Sequence, residues 1–160
     1  MVESELALIS DARVTAYIRQ LLVEPAVMMR GWDYGSDGDQ YPCWTVLRHV
    51  SSNTGIVYCE FGFGPRSPWG LVKLEGDEAM TSIGMDSGWF TSFLQAFFDS
   101  FAATNLPIWQ VVKTDLDVDE VKIISGEGDW DETWAKIMDL RKSDPASGYS
   151  CCPSVTYEKE

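Results

Sequence analysis

An α+β fold built mainly on antiparallel sheet is predicted by three features of the 160-residue sequence. Two strand-like runs, Cys43–Val50 (CWTVLRHV) and Gly55–Phe63 (GIVYCEFGF), are joined by the short link SSNT. That link favours a β-hairpin. An amphipathic stretch opens the chain, and a broad aromatic stripe of helical period lies in its second half. Together they predict a single domain over residues 1–142, a meander of about four to six strands packed by an N-terminal, a central and a C-terminal helix. Residues 143–160 (SDPASGYSCCPSVTYEKE) have turn composition and are expected to be a mobile tail.

Glu3–Val23 reads as one helix. Leu6, Ile9, Val14, Ile18 and Leu21 return near helical period, and Pro25 lies just past its end. Ala26–Tyr34 (AVMMRGWDY) reads as a strand, followed by the turn-forming loop GSDGDQYP. Pairing Ser51 with Thr54 in the hairpin places Trp44, Val46, Val50, Val57, Cys59 and Phe61 on one face. Thr45, Leu47, His49, Ile56, Tyr58 and Glu60 then share the other, and a one-residue slip would exchange the two sets. After the turn GPRSPWG, Leu71–Leu74 reads as a further strand.

Asp86 or Ser87 is a candidate cap for a helix running to Ala102. Its residues Trp89, Phe93, Phe97 and Phe101 recur at i, i+4 and belong against a sheet. Pro107–Lys113 and Val118–Ser125 are strand candidates. A last helix starts at Asp129, with Glu132 three places on in a capping-box pattern. Its apolar face is read as Trp130, Trp134, Ile137 and Met138.

A chain of this length buries roughly 70% of its unfolded surface, so it needs no metal or disulfide. Cys43, Cys59, Cys151 and Cys152 match no zinc spacing, and no cofactor is expected. No basic N-terminal region precedes an apolar run, and no run approaches membrane-spanning length, so a cytoplasmic chain without membrane association is expected. The formal net charge of −13 disfavours nucleic acid and favours a basic protein partner, with solubility alone as the competing explanation. Seven Trp, seven Phe and six Tyr give this acidic chain many rings with which to grip such a partner.

Candidate partner-binding residues come from three places. Asp33, Asp37 and Asp39 lie in the first acidic loop. Arg66 and Trp69 sit on a turn stiffened by Pro65 and Pro68, where the competing reading tucks Trp69 into the core. Asp115, Asp117, Asp119, Glu127, Asp129 and Asp131 belong to a segment with eight carboxylates against the single Lys122. The run DLDVDE resembles a calcium loop, but Glu120 stands where glycine is required and Gly126 where glutamate is required.

His49 is the sole histidine, so any triad or Cys-His mechanism would pass through it. On the register above it shares a face with Thr45, Tyr58 and Glu60, which form an alternative polar pocket for a small molecule. A strand histidine bonded to its neighbours is the plainer reading, and catalysis is not expected.

The stretches YPCWTVLRHV, TGIVYCEFGFG and SPWGLV, spanning residues 41–74, are similar to sequences of a bacterial family associated with polymorphic-toxin loci. With its acidity and size, the chain resembles the immunity proteins of those systems. The resemblance implies an α+β protein that neutralises a cognate toxin by covering its active site. It assigns no role to any individual residue.

Overall fold

A computed structural model describes residues 1–31, 36, 38–61, 66–76, 79, 88–115 and 120–157, without the side chain of Asp115. Asp33, Asp37, Asp117, Asp119 and the proposed caps Asp86 and Ser87 lie outside the described residues. The class is α+β, with four helices, a five-stranded and a three-stranded antiparallel sheet among the described residues. The chain divides into two compact units, Met1–Ala103 and Thr104–Glu160.

In the first unit, α1 (Val2–Leu6) and α2 (Ala12–Leu21) replace the single expected helix. Asp11 ends the continuity. Its backbone is extended and its carboxylate accepts from the Arg13 N–H at 2.8 Å, an N-cap that starts a second helix. Val14 and Ile18, four apart, form the buried stripe of α2.

The chain passes directly into β1 (Leu22–Gly31), then β2 (Gln40–His49), β3 (Thr54–Tyr58), β4 (Trp69–Lys73) and β5 (Trp89–Phe90). These pair in chain order, the expected meander. The β2–β3 turn is a short 3₁₀ segment, Val50–Ser52, closed by Asn53 in the left-handed conformation at φ 55°. Asparagine tolerates that region better than most residues.

The observed register begins at His49↔Thr54 and carries a bulge at Val46, because Leu47 faces Ile56 while Thr45 faces Val57. One extra residue in β2 exchanges faces beyond it. Leu47, His49, Ile56 and Tyr58 therefore share a face, as expected, and Trp44 joins them. Thr45 moves to the other face with Cys43, Val57 and Cys59.

Both faces of this sheet contain buried side chains. On one, Trp69 meets Phe93 edge to face at 5.4 Å, with Leu47 and Ile56 also buried. On the other, Cys43, Val57, Cys59, Val72 and Trp89 cluster, with Tyr41 against them. The central helix is short: α3 (Phe93–Phe98) is capped by Ser92, which accepts from the Gln95 N–H. Trp89 and Phe90, expected inside that helix, form β5, because pairing with Gly70 and Trp69 holds their backbone extended.

The second unit contains β6 (Trp109–Asp115), β7 (Glu120–Ile123), α4 (Trp130–Ser143) and β8 (Gly148–Pro153), in the sheet order β7-β6-β8. The expected mobile tail is thus in part a strand. Six residue pairs from Trp109↔Pro153 to Thr114↔Gly148 hold it, and the Ser154 N–H donates to the Ile108 carbonyl at 2.7 Å. Val111, Ile137 and Tyr149 form the core between this sheet and α4.

Candidate docking face

The first turn of α4 places acids and indoles together. Asp129 accepts from the Glu132 N–H at 2.9 Å, the N-cap the sequence predicts. Asp131 and Glu132 follow in the first turn, where negative charge is favoured by the helix dipole. All three are exposed, as is Glu127, which accepts from the Ser154 hydroxyl at 2.6 Å.

The packed stripe of α4 keeps Ile137 from the sequence reading but not Trp134 or Met138. Thr133 and Ile137 point inward, and Trp134 and Met138 are exposed. The neighbouring rings form a ladder. Buried Trp109 meets Trp130 edge to face at 4.6 Å, Trp130 stacks on Trp134 at 5.9 Å, and the Arg141 guanidinium lies 5.3 Å from the Trp134 ring. The ladder holds Trp134 in place while leaving it 39% exposed. An indole held by its neighbours and half exposed loses little entropy when it meets a partner. The same end of the unit carries a cleft of about 240 Å³, lined by residues including Ser125, Glu127, Glu132 and Lys136.

The remaining candidates among the described residues are Asp39, Arg66, Trp69 and Asp115. Asp39 is exposed and caps its own turn by accepting from the Ser36 N–H at 3.0 Å. Arg66 is exposed, but Trp69 is 3% exposed between Tyr58 and Phe93. Trp69 is therefore core and cannot present its ring to a partner. Asp115 falls at the end of β6, opposite Glu120.

The alternative pocket of Thr45, His49, Tyr58 and Glu60 does not assemble. The bulge at Val46 puts Thr45 on the opposite face. Tyr58 is four residues along the strand from His49's pairing partner Thr54, about 13 Å away at the usual rise, and Glu60 lies further on. His49 is instead buried at the hairpin turn. Its Nδ1 is 2.7 Å from the Ser52 hydroxyl and its Nε2 is 3.0 Å from that of Ser51. Burial holds its pKa below the ordinary imidazole value, favouring the neutral ring.

Sequence reading missed a second buried polar group. Arg30 of β1, 1% exposed, donates to the carbonyls of Lys73 and Ala79, and its Nε has no partner. It lies near Cys43, whose thiol is held above the ordinary range by a hydrogen bond to Cys59 and by burial. The two cysteines face each other across β2 and β3 once the register is known. The unread bulge hid that pairing.

Among the described residues no helix is long and apolar enough to cross a membrane, and no cluster of three His, Cys, Asp or Glu residues is arranged to hold a metal ion. No protein-family model matches the chain, and no curated protein or solved structure matches it either.

Proposed function

We propose that the chain is an acidic protein-binding module of the immunity type, acting in the cytoplasm to cover the active site of a cognate toxin with a basic cleft. The observation that supports this reading most is α4, whose start carries the exposed acids Asp129 and Asp131 and whose outward side holds the exposed Trp134. Complementary charge speeds encounter with a basic surface, and a fixed aromatic anchor slows release. The reading assigns no catalytic residue and no cofactor. The dispersal of Thr45, His49, Tyr58 and Glu60 leaves the alternative pocket without geometric support.

The test mixes the chain with the protein encoded beside it and follows complex formation by sizing chromatography and surface-based kinetics. A stoichiometric complex is expected, with association slowing as salt rises. Replacing Asp129 and Asp131 by Asn should slow association while leaving the fold intact, because Asn caps a helix about as well as Asp. Trp134→Ala should weaken binding by about 2 kcal/mol or more, the effect of a hot-spot residue. A salt-independent association rate, or full affinity in both variants, would reject this face. A metabolite that raises thermal stability without any protein partner would point to ligand binding in the nearby cleft.

A further inference from the structure

Among the described residues β1 has a strand neighbour on one side only, β2, and the direction of its backbone groups can be derived. The Cys59 N–H donates to the Pro68 carbonyl, so Cys59 directs its backbone toward β4. Backbone direction alternates along a strand, so Tyr58 points toward β2, and its partner Trp44 points toward β3. Cys43 and Thr45 then face β1, where they meet Met28 and Ala26. Val27 and Met29 must direct their N–H and C=O groups away from the sheet. Pro42, which lacks an N–H, lies opposite Met29, where no donor is needed.

The side chains agree with this. Val27 is 50% exposed and Met29 and Trp44 are each 44% exposed. Val27 pairs with Trp44 and both share a face with Met29, so an apolar strip runs beside the unpaired edge. Edge strands are usually guarded by charge, proline or a bulge. Here Pro25 and the irregularity between Leu22 and Ala26 guard only the first half. From Pro25 to Met29 the strand carries no charge.

We infer that β1 is a self-association edge, and that its occupant is β1 of a second copy of this chain, antiparallel about a two-fold axis at Met28. Unpaired amides specify an extended strand as the occupant. Neutrality favours a copy over a basic partner, because residues 25–29 offer a cationic surface no complementary charge. The two-fold at Met28 sets Val27 of one copy against Met29 of the other, twice. The outward donor–acceptor sets of Val27 and Met29 in both copies are then used, and the pairing ends at Pro25, which would face Gly31 of the other copy and cannot donate. Val27, Met29 and Trp44 of both copies would line one face, as an isologous contact requires. This contact uses no residue of α4 and does not depend on any toxin.

Sedimentation equilibrium of the full chain from micromolar to millimolar concentration tests it. A reversible monomer–dimer equilibrium is expected, and the Val27 and Met29 amides should exchange more slowly with solvent as the dimer fills. The double variant Val27→Lys, Met29→Lys should remain monomeric throughout, because like charges would face each other across the pair. Val27→Pro should also abolish the dimer while sparing the β1–β2 ladder, since the lost N–H points outward. A wild-type chain that stays monomeric at millimolar concentration overturns the inference. So does a dimer that survives the double lysine variant, or one lost in that variant but kept in Val27→Pro with unprotected Val27 and Met29 amides.

Discussion

Trp69 and Trp134 carry the same side chain in the two units, yet one is 3% exposed and the other 39% exposed. Each is held by neighbouring rings. Trp69 lies edge to face with Tyr58 and Phe93, inside a meander with buried side chains on both faces. Trp134 stacks on Trp130 under the Arg141 guanidinium, on the outside of a helix that packs a single face of a three-stranded sheet. The same contrast holds for the strands. Val57 and Val72 are fully buried, whereas every residue of β7 is exposed, Val121 and Ile123 included. Aromatic content alone thus cannot separate a core from a docking surface. What separates them is whether the far side of the ring is covered.

The strongest way to break that comparison is truncation. Trp69→Ala should cost about 3–5 kcal/mol, the usual loss for a fully buried large aromatic. Trp134→Ala should cost no more than about 1 kcal/mol, from the lost stacking and cation–π contacts. Urea unfolding followed by circular dichroism, with amide exchange reporting each unit, would measure both. Equal costs would mean that the α4 ladder is a core element, and the docking proposal would lose its anchor.

A smaller effect concerns His49, the sole histidine. Its folded-state pKa is depressed by burial below the ordinary 6.5. The sign follows from proton uptake. Above about pH 6.5 the ring is neutral folded or unfolded, and stability is complete. As pH falls below that value the unfolded chain takes up the proton first, so stability declines until the folded pKa is passed. For one proton the slope cannot exceed about 1.4 kcal/mol per pH unit. Urea midpoints between about pH 5 and pH 7 should show this decline in wild type and lose it in His49→Asn. An unchanged slope in the variant would mean that the imidazole is solvated and not buried at the hairpin turn.

Much of this arrangement was legible beforehand, and the failures have specific causes. The meander announced itself through hairpin spacing, and the start of α4 through Asp129 and Glu132, since both signals are local. The break between α1 and α2 was also local, but the apolar period continues across Asp11 and masked its capping role. The bulge at Val46 left no trace in the pattern, because an inserted valine looks like any strand residue. It decided which face Thr45, Trp44 and Cys43 occupy, and with them the fate of the expected pocket. For α4 Ile137 is buried as read, while Trp134 and Met138, read with it, are exposed. Thr133, polar and so absent from the apolar face read from the sequence, is buried and donates to the Trp109 carbonyl. The strand β8 was unreadable for a different reason: Gly148, Ser150 and Pro153 have turn composition, and pairing with β6 overrides it.

The docking of β8 gives the finest test of the comparison, through a group that should titrate abnormally only if the strand is in place. Asp144, at the end of α4, accepts from the Tyr149 hydroxyl at 2.7 Å and from the Lys113 ammonium at 3.0 Å. These bonds, Tyr149 first, hold its carboxyl down at about 2. Its contribution to stability is therefore complete above the ordinary carboxylate value and is lost as pH falls through about 2. Carboxyl-carbon NMR should place the Asp144 midpoint there, and Tyr149→Phe should raise it toward the ordinary range with the fold retained. Lys113→Met should raise it as well, by less. An ordinary midpoint in wild type would mean that Tyr149 does not reach α4. Residues beyond 143 would then behave as the loose tail their composition suggests, and the second unit would lose the strand that completes its sheet.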